Sequence, residues 1–280
     1  YIGDIGLPKA VTTPLGGYSQ IYKSDSVTGS YTDSNFPQMI KGRNIVLFTG
    51  NFTTFSGLSI NRGDYATNGY KLNIQSNSVI ISQYNRTDIT VTLTNPITSF
   101  IKVKIVEDKI FNSINITIFT LGGIQTFDVT ISNGLKGAFG FTTVDQMTNV
   151  IFSITNKSLK QPVWLFGDSY MDLIWSPIHT LTDSELMING YGGMTSQASY
   201  ADLIKCFKYS FPKVLIWTLG MNDTYLDFST YVNSLIALSN IYRFTVVFYA
   251  PPTVPTRDKD SFLALLNSLN VRFINAYKAV

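Results

Sequence analysis

The sequence predicts two architectures in one chain, an antiparallel β-sandwich over residues 1–160 and a parallel α/β sheet over residues 161–280. In the first stretch, short runs that alternate apolar and polar residues are separated by turn residues, a pattern typical of antiparallel strands. In the second stretch, continuous apolar runs alternate with amphipathic ones, which predicts a parallel sheet covered by helices. A length of 280 residues, 45% of them hydrophobic, is sufficient for two domains with buried cores.

The first domain is predicted to consist of short strands with no amphipathic helix among them. Strands are expected at 44–49, 70–74, 78–82, 89–93, 101–106, 114–119, 126–131 and 150–154. Residues 1–40 carry little pattern, and we expect an extended lead-in segment or early edge strands there. The run Gly134-Leu-Lys-Gly-Ala-Phe-Gly-Phe resembles the closing strands of jelly-roll or concanavalin-like sandwiches. We expect this domain to be an accessory or carbohydrate-binding module.

The second domain is predicted to follow a strand-helix-strand rhythm. Apolar strands are expected at 163–166, 186–188, 214–219, 244–249 and 271–274, and helices at 197–209, 227–242 and 259–269. Functional sites of open parallel sheets lie at the carboxyl ends of the strands. The residues that follow each strand are therefore the first candidates for chemistry.

Composition excludes several classes of function. Lysine and arginine exceed aspartate and glutamate by 21 − 18 = 3 and form no basic stripe, so nucleic acid is not an expected partner. A single His and a single Cys exclude a multi-histidine site, a thiolate cluster and an internal disulfide, and we expect neither metal nor organic cofactor. No apolar run approaches the roughly 18 residues of a membrane span, so membrane insertion is not expected.

Polar, glycine-rich turns follow the first three strands of the second domain. They are Gly167-Asp168-Ser169, Asn189-Gly-Tyr-Gly-Gly-Met-Thr-Ser196 and Gly220-Met-Asn-Asp223. A serine between a strand and a helix exposes its hydroxyl near the positive helix N-terminus. A glycine lets a backbone N–H approach a substrate oxyanion, and an asparagine side chain adds another donor.

In order and spacing, these turns resemble the first three sequence blocks of the SGNH (GDSL-type) hydrolases, serine esterases on a flavodoxin-like sheet. The resemblance covers roughly residues 161–280 and implies that Ser169 is the nucleophile. It further implies an oxyanion hole made by the backbone N–H groups of Ser169 and Gly193 and by the side chain of Asn222. The alternatives are that the first turn only caps a helix and that the second is a flexible turn with no donor role.

Other polar residues near the carboxyl ends of the strands either contact the substrate or are simply exposed to solvent. Asp168, Arg257 and Asp258 are possible substrate contacts, although a plain solvent loop is the alternative for the last two. Asp172 is interpreted as a solvated carboxylate in the first helical turn.

The general base of the resembled family, a His that follows an Asp by three residues near the C-terminus, has no counterpart in this sequence. The only histidine, His179, would lie about 15 Å from Ser169 along a continuous helix, so we expect that it is not the base. Three explanations stay open: an Asp-x-x-His beyond Val280, a base supplied by another chain, or a degenerate hydrolase. We favour the first, a C-terminally incomplete hydrolase domain, and expect residues 1–280 alone to be nearly inactive on activated acyl esters.

These observations predict a serine esterase that removes O-acyl groups, O-acetyl above all, from a carbohydrate. The glycan substrate is inferred by analogy with modular carbohydrate esterases, in which a β-sandwich accompanies such a hydrolase. The expected partner is an acylated glycan, and the expected location is extracellular, on a cell surface or on a virion such as a phage. The alternative is a non-catalytic glycan-binding or adhesion module of a virion appendage or cell-surface protein. The oligomeric state is left open.

Overall fold

The computed structural model describes residues 18–40, 44–108, 113–131, 136–169, 171, 186–250 and 259–275. The chain divides into two compact units. Of the described residues, the first unit holds 18–38 and those from 44 to 157, and the second holds 39–40 and those from 158 onward.

The first unit is one antiparallel sheet of ten strands. The strands are β1 (Tyr18–Thr32), β2 (Asn44–Phe52), β3 (Leu58–Arg62), β4 (Tyr70–Ile74), β5 (Ser78–Gln83), β6 (Ile89–Thr92), β7 (Phe100–Asp108), β8 (Ser113–Thr120), β9 (Gly123–Thr130) and β10 (Phe139–Asn156). They follow the order β6-β5-β4-β3-β10-β2-β7-β8-β9, and β1 pairs with β10.

Strand β10 connects the two halves of this sheet. Its first residues pair with β3 and its later residues pair with β2, while β1 runs along its other edge. The register shifts between Val27 and Gly29 in β1, and between Thr148 and Ile151 in β10, where Asn149 has a φ of 51°. Because bulges bend a strand and increase its twist, they let the long pair β1–β10 serve both halves of a curled sheet.

The core of the first unit is formed by strands that bury every second residue, such as β2, β3, β4 and β5. In β2, for example, every second residue from Asn44 to Phe52 is buried, as the two-residue period of a strand requires. Aromatic rings fill the centre, with the Phe141 ring 5.1 Å from that of Phe48 and 5.2 Å from that of Phe152.

A charged network is also buried in this core. The Arg62 guanidinium and the Glu107 carboxylate form a fully buried ion pair. Asn44 Nδ2 donates to Glu107 Oε2 at 2.6 Å, and Asn156 Nδ2 donates to Asn44 Oδ1 at 2.6 Å. Burial, followed by the negative charge of Glu107, raises the pKa of the Tyr70 phenol well above its usual 10.0. The network ties together β2, β3, β7 and β10.

The second unit is a parallel sheet of five strands with helices between them. The strands are β11 (Val163–Gly167), β12 (Leu186–Gly190), β13 (Val214–Trp217), β14 (Thr245–Ala250) and β15 (Phe273–Asn275), and the helices are α1 (Ser196–Phe207), α2 (Tyr225–Tyr242) and α3 (Lys259–Ser268). The strand order β12-β11-β13-β14-β15 is that of flavodoxin-like sheets. The predicted fold class, an antiparallel β unit followed by a parallel α/β unit, is therefore confirmed.

Residues 18–32 form β1 and pair with β10, in agreement with the early edge strands that were one of the two alternatives expected within residues 1–40. Strand β3 is an additional strand that the sequence analysis did not predict. After β1, Ile40 forms an antiparallel bridge with Asn189, and Met39 O accepts from Gly190 N at 3.2 Å, so this short segment covers the free edge of β12. Among the described helices, none is long and apolar enough to cross a bilayer.

Candidate functional site

The three turns singled out by the sequence begin at one end of the parallel sheet. Gly167, the last residue of β11, pairs with Gly190, the last residue of β12, and Phe166 pairs with Trp217, the last residue of β13. Because all three strands run in the same direction, their following turns start side by side at the carboxyl edge.

The first turn depends on the absence of a side chain at Gly167. A Cβ atom there would lie 2.0 Å from Met171 Cγ and 2.4 Å from Thr218 Oγ1. Thr218 in turn donates to the Phe166 carbonyl through its N–H at 2.8 Å and its hydroxyl at 3.1 Å. Glycine therefore allows the chain to turn tightly against β13 as it enters Asp168 and Ser169.

Asp168 and Ser169 differ in their exposure to solvent. Asp168 is fully buried, whereas Ser169 is partly exposed. A nucleophile must be able to reach its substrate, and the partial exposure of Ser169 meets this requirement. The burial of Asp168 argues against the direct substrate contact considered for it.

The second turn is closed by a backbone hydrogen bond from Met194 N to Tyr191 O at 3.1 Å. Gly193 has a φ of 80° at the third position of this turn, where a type II turn requires a positive φ. Among the described residues, no atom lies within 4 Å of a Cβ built on Gly193, and the residue is exposed. Glycine is needed here for its backbone conformation, not to avoid a clash with a described neighbour.

The third turn is joined to the second by side-chain hydrogen bonds. Asn222 Nδ2 donates to Met194 O at 3.0 Å. Asp223 Oδ1 accepts from Ser196 N and Asp223 Oδ2 accepts from Ser196 Oγ, both at 2.8 Å. The structure therefore brings Asn222 beside the turn that contains Gly193.

Sequence reasoning missed the role of Asp223. Its carboxylate lies at the N-terminus of α1, where the helix dipole stabilises negative charge, and Thr195 caps the same end by accepting from Ala198 N at 3.3 Å. The available signal was an acidic residue directly after Asn222 and a serine at the start of a predicted helix. Neither feature reveals the pair, because the two residues are 27 positions apart.

A second buried carboxylate holds α1 against the sheet. Asp202 Oδ2 accepts from Asn189 Nδ2 at 2.7 Å and from Met39 N at 2.9 Å. Asn189 belongs to the predicted motif, and its side chain points into this structural contact.

Comparisons with known proteins give only partial similarities in fold. No protein-family model matches the chain, and no curated protein matches it. Among solved structures, a proposed acylhydrolase of Bacteroides fragilis NCTC 9343 is 15% identical over 43% of this chain and 69% of that one, with a TM-score of 0.35. A GDSL-like lipase of Bacteroides thetaiotaomicron VPI-5482 is 17% identical over 44% of this chain and 72% of that one, with a TM-score of 0.33. A toad ovary galectin in complex with thio-digalactose is 18% identical over 48% and 99%, with a TM-score of 0.32.

At these identities the similarity concerns parts of the fold, and any assignment of chemistry depends on the chain's own residues. Arg257, Asp258, Asp172 and His179 lie outside the described residues. The convergence of Ser169 with Gly193 and Asn222 on one oxyanion stays a prediction.

Two further observations concern groups outside the three turns. In the described part of the chain, no group of three or more His, Cys, Asp or Glu side chains is arranged to hold a metal ion. The Cys206 thiol is buried on α1, and burial raises its pKa well above the usual 9.0. Such a buried, protonated thiol is a poor nucleophile.

Proposed function

We propose that the second unit is a serine esterase that removes O-acyl groups, acetyl above all, from a carbohydrate, with Ser169 as the nucleophile. The observation that carries the proposal is the hydrogen bond from Asn222 to Met194, which brings a side-chain amide beside the glycine turn. Both belong to turns at the edge of the sheet where β11 leads into Ser169. This arrangement supports an oxyanion site formed by three turns.

The reaction would proceed by acyl transfer to serine. Ser169 Oγ forms a bond to the ester carbonyl carbon while a base takes the hydroxyl proton. The N–H groups of Ser169 and Gly193 and the amide of Asn222 donate to the resulting oxyanion. Collapse of the intermediate breaks the ester C–O bond, and the sugar oxygen leaves with the proton. Water then attacks the acyl-serine by the same steps, which releases the carboxylic acid and restores Ser169.

The proposal also specifies the substrate, an acylated carbohydrate. This choice is supported by the exposure of Gly193, whose Cβ position has no described atom within 4 Å and so leaves room for a bulky alcohol, and by the presence of a large antiparallel β unit in the same chain. An acylated glycan would be the partner, and the place of action would be extracellular, on a cell surface or on a virion.

The test is acyl release with and without added imidazole, which can act as an external base. Acetate release from p-nitrophenyl acetate and acetylated xylan is measured for the wild-type protein, Ser169→Ala and the control Ser234→Ala. Ser234 is a partly exposed serine of α2 whose hydroxyl donates to the Thr230 carbonyl. With imidazole, the wild type and Ser234→Ala are expected to exceed Ser169→Ala, which should equal imidazole alone. Equal rates for the wild type and Ser169→Ala would overturn the proposal.

A second candidate function is glycan binding without catalysis, and the outer face of the first unit favours it. There, Lys102 Nζ lies 4.9 Å from the centre of the Phe119 ring, Asn115 Nδ2 donates to Asp128, and Thr126 Oγ1 donates to Thr117. Such a mixture of ring, hydroxyl and amide groups suits stacking on sugars and hydrogen bonding to them.

This second function is tested by affinity electrophoresis in gels that contain acetylated xylan. Phe119→Ala is expected to reduce retention of the protein, while Tyr84→Ala, an exposed aromatic substitution elsewhere in the unit, is not. Equal retention of wild type and Phe119→Ala would exclude a role for this face.

A further inference from the structure

We propose that Asp223 is a positioning residue that, through Ser196, holds the Gly193 turn and the Asn222 amide in the geometry needed for an oxyanion. The inference deepens the proposed esterase function and rests on it. Asp223 itself touches neither the nucleophile nor the oxyanion in this scheme.

The contact between Asp223 and Ser196 uses both carboxylate oxygens. One accepts from the Ser196 backbone and the other from its hydroxyl, each at 2.8 Å. Asp223 is 2% exposed and Ser196 is 0% exposed, so water cannot readily replace these bonds. Hydrogen bonds to a charged acceptor in such surroundings are stronger than ordinary ones. The start of α1 is therefore fixed to the third turn.

The glycine turn lies between this contact and a second fixed point. Met194 N closes the turn on Tyr191 O, and Met194 O accepts from Asn222 Nδ2. Gly193, directly before Met194, thus cannot move without breaking the turn bond or shifting the residues that Asp223 holds.

The same contacts orient the Asn222 amide. An asparagine side chain has two N–H donors, and here one of them is engaged with the Met194 carbonyl. That bond fixes the amide plane and leaves the second N–H for a substrate oxygen. Because Asn222 and Asp223 are adjacent, the carboxylate anchors the backbone from which the amide projects.

The experiment compares Asp223→Ala, Asp223→Asn, Ser196→Ala and the double variant Asp223→Ala/Ser196→Ala. Rates are measured with imidazole and taken as the excess over Ser169→Ala. We expect Asp223→Ala to lower kcat about 10- to 100-fold with little change in KM, since misplaced oxyanion donors cost about that much. Asp223→Asn should recover part of the loss, because its amide can still bond to Ser196. Adding Ser196→Ala to Asp223→Ala should cause little further loss, since the hydroxyl has no carboxylate left to bind.

The matched control is Asp202→Ala. Asp202 is likewise a buried carboxylate of the same unit and also accepts two hydrogen bonds, but from Asn189 and Met39. Its loss is expected to lower stability while the kcat of the folded protein stays unchanged. An equal drop in kcat for both alanine variants would overturn the positioning role and leave only a general structural one.

Amide hydrogen exchange separates this proposal from the esterase proposal. In Asp223→Ala, amides 191–196 should exchange roughly tenfold faster or more, as expected for a lost charged hydrogen bond, and in Asp202→Ala they should not. Unchanged exchange at 191–196 would overturn the inference even in an active enzyme. Wild-type activity equal to Ser169→Ala would overturn the esterase proposal, whatever the exchange result.

Discussion

Gly167 and Gly190 face each other at the end of the pairing between β11 and β12, and Met171 occupies the space that a side chain on either would need. A Cβ on Gly190 would lie 3.0 Å from Gly167 O and 3.1 Å from Met171 Cβ. The two glycines therefore allow Met171 to pack directly over the strand ends. The first two turns of the candidate site depend on this packing.

Gly167→Ala should destabilise the protein by about 1–3 kcal/mol, because the added methyl overlaps Met171 and Thr218. Urea unfolding at constant m-value measures the change. In the Met171→Ala background the cost of Gly167→Ala should be smaller, since the closest obstacle, Met171 Cγ, is gone. A single variant as stable as the wild type would show that the turn can relax.

Gly193→Val should cost about 1–2 kcal/mol through the positive φ alone, since no described residue lies close enough to clash. Gly193→Asn should cost less, because asparagine tolerates this conformation better than other side chains. Thermal unfolding of both variants gives the order. Equal costs for Asn and Val would mean that backbone strain is not the cause.

Removing one member of the buried ion pair should be more harmful than removing both. Glu107→Leu alone leaves the Arg62 charge buried and should cost about 3–5 kcal/mol. The double variant Arg62→Met/Glu107→Leu should be clearly more stable than Glu107→Leu. Urea unfolding of the three proteins tests this, and a double variant less stable than the single one would contradict it.

Alkaline pH should destabilise the fold through Tyr70 and Cys206. Both groups have a folded-state pKa raised well above the usual 10.0 and 9.0, chiefly by burial. Their contribution is fully present below the unfolded-state pKa and is lost as pH rises through the folded-state pKa. The free energy of unfolding should therefore fall above pH 9.0 and more steeply above 10.0.

The variants Tyr70→Phe and Cys206→Ala isolate these contributions. Each should flatten its part of the alkaline decline, whatever its effect at neutral pH. Urea unfolding from neutral to alkaline pH measures the slopes. Slopes identical to that of the wild type would assign the decline to other groups.

The sequence predicted the fold where the pattern is local. Strands β2, β4 and β5 were expected because each is a short run rich in apolar residues, and each buries every second residue. For β1, early edge strands were only one of two alternatives and no bounds were predicted, because its sequence is polar and its period is interrupted by the shift between Val27 and Gly29. Strand β3 is short and ends in Arg62, whose burial is made possible by Glu107 on β7.

In the candidate site, too, the features with a local sequence pattern could be predicted and the long-range contacts could not. The turns could be located because each follows an apolar strand, and the neighbouring positions of Asn222 and the Gly193 turn agree with that interpretation. The Asp223–Ser196 contact could not be anticipated, since the pairing of two polar residues far apart in sequence depends on tertiary structure. Asn189 was assigned to the second turn because it directly precedes the glycines in the sequence. In the structure its side-chain amide donates to Asp202 of α1 and so helps to pack this helix against the sheet.

The position of β10 also determines when the first unit can fold. Tyr18 at the start of β1 pairs with Asn156 at the end of β10, and both β2 and β3 depend on β10 to join them. During synthesis, the half of the sheet that contains β3 and the half that contains β2 therefore cannot pair through β10 until this last strand has been synthesised. Such long-range pairing gives a high contact order, so this unit should fold slowly and expose unpaired strand edges until β10 arrives.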